Sequence, residues 1–478
     1  MPRSPDRLPP IDLSPEPMAP VDIAWLRMDE PNNLMQINGV LALGGELDVE
    51  RVRDLVSERL LRIRRFRQKV VVGRGGHRWE VDPDFDLDAH LVVEPFPAPG
   101  GRAEAERLFG ELMARPLDRA RPLWQFHLVP GYEGGWAVYC RLHHAIGDGV
   151  ALMLVLLSLC DLEPRGGVPA AEAVDEVPVP LPVQLAALFG QPLESFAAIR
   201  ALLDDVMPDA MRLLVHPAEA MRRTSAWLRN AAAVGAAGRL ATYSSDPETA
   251  FKGELVVGKR VAWSRQIPVE EVKQVGRALG GTVNDLLVNA TAGALRRYLA
   301  ARQEPEPDLV MRAAMPVNLR PLEKMNELGN RFGLVFLGLP VGIADPVARL
   351  AALRERADRL KRSAQPLAAY GILHGMGLSP LAVQRLIVRM FGSKATAVMT
   401  NVPGPRRRLY VTGHPLEELF FWVPQAGHLG LGASILSYCG EARLGVATDA
   451  GLVPDPERLV AGFEAEWELL RERARAAR

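Results

Sequence analysis

Cysteine is nearly missing from this chain. Cys140, Cys160 and Cys439 are three in 478 residues, an odd count with no CxxC spacing, which argues against a disulfide framework or a zinc site. A reducing cytoplasm is the compartment that such usage suits. Charge of one sign is missing too: 57 basic side chains match 57 acidic ones, so bulk attraction to nucleic acid is not expected. The longest apolar run, Val150 to Leu157, falls far short of the ~20 residues that cross a bilayer. The proline-rich start, Met1-Pro-Arg-Ser-Pro-Asp-Arg7, leads into no apolar signal segment. Any contact with a membrane or lipid-droplet surface is therefore expected from the side.

What is present supports a sizeable core. Hydrophobic residues make up 48% and charged residues 24%, ordinary globular values, and the length suits two or three domains. Residues 163 to 183, rich in Pro, Gly, Glu and Val, read as a linker. They separate a first unit, 1–165, from a helical connection, 166–244, and a second unit, 245–478. Within the connection, Met211 to Tyr243 carries five arginines against Glu219, a basic amphipathic stretch able to rest on anionic lipid or to pack between the units. Both units mix strand and helix periodicity, an α/β pattern without internal repeats.

The chemistry concentrates at Trp136-Ala-Val-Tyr-Cys-Arg-Leu-His-His-Ala-Ile-Gly-Asp-Gly149. Its first seven residues alternate as a strand does, ending at the histidines. Val150 to Leu159 then reads as a buried helix, with Asp148 placed to cap its first free amides. Consecutive histidines at such a turn point in different directions, so one faces a substrate and the other packs inward. A neutral imidazole, with an ordinary pKa near ~6.5, can take a proton from a hydroxyl, whose oxygen then attacks an acyl carbonyl without a serine or cysteine nucleophile. Asp148 could hold this turn through the helix-start amides, through His144 or through a distant arginine.

Elsewhere, Asp22 is expected to cap a helix with Trp25 and Leu26 turned inward, and Gly371 to Gly377 to break the helical pattern. Asn284 and Asp285 fall in the first turn of a helix capped by Thr282. A strand from Ala395 to Thr400 is expected to meet a turn, Asn401-Val-Pro-Gly-Pro405. His127 reads as a packing residue.

Taken in order, Pro122-Leu123-Trp124, His143-His144-Ala-Ile-Gly-Asp148-Gly149, Asn284-Asp285, Asn401-Val-Pro-Gly-Pro405 and Ser437-Tyr438-Cys-Gly440 resemble the motifs of the bacterial wax ester synthase/diacylglycerol acyltransferase family. The first of these matches PLW, the second HHxxxDG and the third ND. The resemblance implies two chloramphenicol acetyltransferase-like lobes, each a mixed sheet with flanking helices, joined by a helical linker and enclosing a tunnel. It implies His144 as general base, with Asp148, His143 and Gly149 completing the catalytic motif. It places Pro122, Leu123, Trp124, Asn284, Asp285, Asn401, Ser437 and Tyr438 among substrate-binding positions. Acyl-CoA would be a substrate, with no cofactor and no metal, and the acceptor a diacylglycerol or long-chain alcohol, as in triacylglycerol biosynthesis. Developing charge on the thioester oxygen needs a donor, for which Asn284 is the candidate. Two other readings compete: a condensation-type catalyst fed by a carrier-protein thioester, and a lipid-binding module without turnover.

Overall fold

The computed structural model describes residues 11–74, 76–164, 244–319, 328–361, 365–425 and 429–477. In the first unit the elements are β1 (Glu16–Pro17), α1 (Pro20–Met28), β2 (Gln36–Leu43), α2 (Val49–Glu58), β3 (Gln68–Gly73), β4 (Gly76–Val81), β5 (Leu91–Val93), α3 (Arg102–Ala114), β6 (Trp124–Tyr132), β7 (Gly135–His143) and α4 (Gly149–Ser158). The second holds β8 (Lys259–Trp263), β9 (Ile267–Pro268), α5 (Val269–Leu279), α6 (Val283–Ala300), β10 (Met311–Asn318), β11 (Phe332–Leu339), α7 (Pro346–Lys361), α8 (Gln365–Leu378) and α9 (Leu381–Ser393). It continues with β12 (Ala397–Pro403), β13 (Tyr410–Val411), β14 (His414–Trp422), β15 (Leu431–Tyr438), β16 (Glu441–Asp449) and α10 (Pro456–Ala476). The expected connection, 166–244, lies outside the described residues apart from Ser244, and its basic stretch with it.

Two mixed sheets carry the molecule. One has the order β13-β14-β2-β7-β6-β5 and the other β11-β10-β12-β15-β16-β8, with β9 also on β16. Only β5 and β6 run parallel in the first, whereas β10, β12 and β15 form a parallel core in the second. The α/β lobes expected from the pattern are thus present, with one addition. Chain halves and sheets do not coincide, because β14 of the second half pairs antiparallel with β2 of the first, from Leu416 opposite Leu43 to Trp422 opposite Asn38.

Three local expectations need correcting. Asp22 is no cap: α1 starts at Pro20 after Ala19, and Asp22 lies buried within its first turn. Proline at the first helical position needs no partner for its missing N–H, so the start shifts back three residues, from a cap at Asp22 to one at Ala19. The glycines from 371 to 377 do not break α8, which runs to Leu378. Gly377 instead lets the helix touch α1, since a Cβ there would overlap the Pro20 carbonyl oxygen. Finally, β12 continues through Asn401, Val402 and Pro403, paired with Ile435, Leu436 and Ser437, so the turn begins only at Gly404.

Between the lobes lies an aromatic core. Phe109 of α3 sits 5.9 Å from Trp263 of β8 and 6.1 Å from Trp422 of β14, ring centre to ring centre, and Trp263 stacks on Phe420 at 5.0 Å. Such pairs contribute about 0.5–1.5 kcal/mol each beyond their buried area. Helix and strand meet without a side chain between them at Gly110, where a Cβ would lie 2.7 Å from the Lys259 carbonyl oxygen. This packing joins the two sheets, with Tyr139 of β7 stacked on Phe109 at 5.0 Å.

Candidate active site

The end of β7 is pinned on both sides. The His143 amide donates to the Leu123 carbonyl at 3.0 Å and the His144 amide to the Met35 carbonyl at 2.8 Å. As alternation requires, the two rings then diverge. His143 Nδ1 accepts the Ala145 amide at 3.0 Å, which leaves its Nε2–H directed at Asp29 Oδ2, 3.6 Å away. Burial opposes ionisation of Asp29, yet the neighbouring His143 ring and hydrogen bonds from the Met35 amide and Arg119 hold its carboxyl below the usual range. His143 braces the turn from inside.

His144 is arranged otherwise. Its ring lies flat against Trp25, 4.1 Å between centres and 14° between planes, with Phe332 at 5.5 Å and itself 5.7 Å from Trp25. Nδ1 lies 2.9 Å from Oδ1 of Asn330. The Asn330 orientation is fixed independently, since its Nδ2 donates to Asp22 Oδ1 at 2.9 Å and to the His144 carbonyl at 2.7 Å. An amide oxygen can only accept, so Nδ1 carries the hydrogen and the lone pair sits on Nε2. Nε2 has no hydrogen-bond partner among the described residues, and the residue retains 7% exposure. Burial lowers the His144 pKa to about 4, against an opposing pull from Asp148, so the ring is neutral at neutral pH. Burial likewise raises Asp22 to about 6, partly offset by the Asn330 hydrogen bond.

Asp148 joins the two halves of the chain here. Oδ1 accepts the Ala151 amide at 2.9 Å, capping α4 as its position in the sequence suggests. Oδ2 accepts the Arg331 amide at 3.1 Å, and the Asp148 amide donates to the Gly329 carbonyl at 3.3 Å. Gly147 and Gly329 form a parallel bridge beside it. Of the holds open to Asp148, the helix-start amides are used, together with a backbone amide of the second half. Gly149 opens α4 and is exposed, with Ile37 Cδ1 4.0 Å from where its Cβ would stand.

The remaining positions fall into two groups. Leu123 and Trp124 are buried, Trp124 Nε1 donating to the Phe66 carbonyl at 2.8 Å with His90 stacked on the indole at 4.4 Å. Pro122, buried as well, leads into β6, so this motif supports β7 from the neighbouring strand. His127 packs in the same sheet, its Nδ1 3.1 Å from Glu94. In the second lobe Asn401 Nδ2 donates to Asn284 Oδ1 at 2.9 Å, bringing two motifs 117 residues apart together at the surface. Asp285 and Thr282 exchange hydrogen bonds at 3.0 and 3.2 Å as a capping box. Ser437 Oγ accepts the Gly404 amide at 3.4 Å, while Tyr438 OH accepts the Leu409 amide at 2.8 Å and donates to the Leu416 carbonyl at 2.9 Å. A cavity lined by Gln36, Asn38, Met113, Lys259, Val423 and Gln425 opens where the lobes meet. Gln36 stands opposite His143 in the ladder.

The wax ester synthase/diacylglycerol acyltransferase catalytic domain matches residues 18–287, and the C-terminal domain of the same family residues 328–471. The chain belongs to that family. A Mycobacterium tuberculosis protein named as a probable diacylglycerol O-acyltransferase, tgs1, is 27% identical over 460 residues, 93% of each chain. Another M. tuberculosis relative named for that activity is 33% identical over 411 residues, covering 82% of this chain and 76% of its own. The solved wax ester synthase/diacylglycerol acyltransferase of Marinobacter aquaeolei VT8 has the same fold, with a TM-score of 0.67 at 19% identity over 96% of this chain and 99% of its own. The starter condensation domain of rhizomide synthetase, solved with C8-CoA and Leu-SNAC, shares the fold at a TM-score of 0.57 and 12% identity, covering 96% and 94%. The protein is thus an acyltransferase.

Asn330, Asp22 and Trp25 are site residues that sequence reasoning passes over. Asp22 had a complete local explanation as a cap and Trp25 as core. The available signal was a polar Asn330 between glycines at 329 and 333, just ahead of β11.

Proposed function

We propose that this acyltransferase moves a long-chain acyl group from acyl-CoA to a diacylglycerol or a fatty alcohol, giving triacylglycerol or wax ester, with His144 as general base. The observation that carries this is the Asn330 contact at Nδ1, which leaves the Nε2 lone pair to a substrate. The acceptor hydroxyl proton passes to Nε2 as its oxygen bonds to the thioester carbonyl carbon. The C–S bond then breaks and the coenzyme A sulfur takes the proton back. No acyl group is carried by the protein. Because the thioester is already activated, the chain mainly has to hold both reactants within ~3 to 3.5 Å and exclude water.

Burial keeps the base neutral, so the imidazolium formed during the reaction needs support. The Trp25 face stacked on the ring and the nearby Asp148 carboxylate supply it. Asp148, His143 and Gly149 act as positioning groups. Asn284 stays the candidate donor to the thioester oxygen: Asn401 engages its Oδ1, leaving its Nδ2 without a partner among the described residues.

Purified protein given labelled palmitoyl-CoA with hexadecanol and diacylglycerol in competition should yield neutral lipid, and the products name the acceptor. His144→Ala should lose roughly a hundredfold to ten-thousandfold in rate while remaining folded. A folded variant turning over near normally would remove the mechanism. The fold shared with condensation domains supports a second reading, a carrier-protein thioester as donor. Activity with a loaded carrier protein and none with free acyl-CoA would favour it.

A further inference from the structure

Ten large apolar side chains are exposed among the described residues, and four of them, Leu378, Leu381, Val383 and Leu386, fall within nine positions at the end of α8 and the start of α9. Leu378 is 70% and Leu386 68% exposed. A cluster of this kind marks an interaction surface, whereas scattered leucines do not. The stretch from Gln365 to Lys394 contains no Asp or Glu but does contain Arg385, Arg389 and Lys394. Arg385 follows Leu381 by one helical turn and Arg389 follows Arg385 by another, so leucines and arginines share the exposed side of α9. Neither arginine forms an ion pair among the described residues.

The opposite side is engaged. Gln384 donates to the Ala24 carbonyl of α1 at 2.8 Å, Arg27 to the Ser379 carbonyl at 3.1 Å, and Leu373 and Met376 lie in the same core as Trp25. The two helices therefore present one finished face to the molecule and one unfinished face outward. We propose that this outward face docks the protein on an anionic phospholipid bilayer. The leucines enter the boundary between headgroups and acyl chains, while the arginine stems lie along them and the guanidinium groups meet phosphates. A symmetric pairing of two copies through this face fits worse, because Arg385 and Arg389 would oppose their own kind with no carboxylate in the stretch to separate them. Docking places the bilayer one helix, α1, from the Trp25–His144 stack. The docking does not depend on the proposed chemistry, because binding is read without substrate.

The test uses the full chain, sedimented with phosphatidylcholine vesicles and with vesicles also containing phosphatidylglycerol. The wild type should bind the anionic vesicles preferentially. The variant combining Arg385→Glu and Arg389→Glu should lose about tenfold or more of that affinity. The variant combining Leu378→Ser, Leu381→Ser and Leu386→Ser should lose binding to a similar degree. Both should keep the wild-type Tm, since the altered side chains lie outside the core. Undiminished binding in the two folded variants would overturn the proposal. So would equal binding to both vesicle types, or a wild-type dimer in light scattering that the leucine variant dissolves.

Discussion

His144 shows how much of a side chain's chemistry is set by a neighbour far along the chain. Its partner Asn330 is 186 residues away, and their contact decides which nitrogen holds the proton. Catalysis by Nε2 requires the neutral ring, so kcat/KM should fall as pH drops through the folded pKa, about 4. An exposed histidine would give the acid limb near ~6.5 instead. A profile measured with a soluble acceptor distinguishes them, and a midpoint near the ordinary histidine value would mean that His144 is not the base. Asn330→Ala should lower kcat by about a hundredfold with little change in KM, because the ring loses the contact that fixes its tautomer and position. Unaltered kcat would make Asn330 a structural residue only. The motif around His144 was legible because strand, turn and capping aspartate follow one another in sequence. Asn330 was not, because nothing local distinguishes an amide that orients a ring from one that ends a loop.

At the scale of elements, α1 ties the candidate site to the outer helices. One of its sides sends Asp22 and Trp25 to Asn330 and His144, and another receives α8 at Gly377. Gly377→Ala would force a methyl group into the Pro20 carbonyl, so the helices must separate. It should cost about 1–3 kcal/mol, read as a drop in Tm. An unchanged Tm would show that the contact gives way freely. Periodicity located β7 by its alternation and α4 by the apolar run behind Asp148. It failed at the glycines of α8, which read as a break when taken alone and as a close approach once α1 lies alongside. The Asn401 motif misled in the same way: prolines at 403 and 405 suggest a turn, but Asn401, Val402 and Pro403 still pair with β15.

For the whole molecule, family and lobes could be read from five motifs in order, whereas the way the lobes are tied could not. Registering β14 against β2 depends on two strands whose facing residues are hundreds of positions apart, a pairing that carries no local signal. Expressed alone, residues 1–164 should therefore be insoluble or partly folded, with β2 presenting an unpaired edge. A soluble, monomeric fragment with native-like circular dichroism would contradict this. During synthesis, the earlier sheet must wait with an open flank until Trp422 has left the ribosome, so its completion is among the last events of folding and the two lobes mature as one.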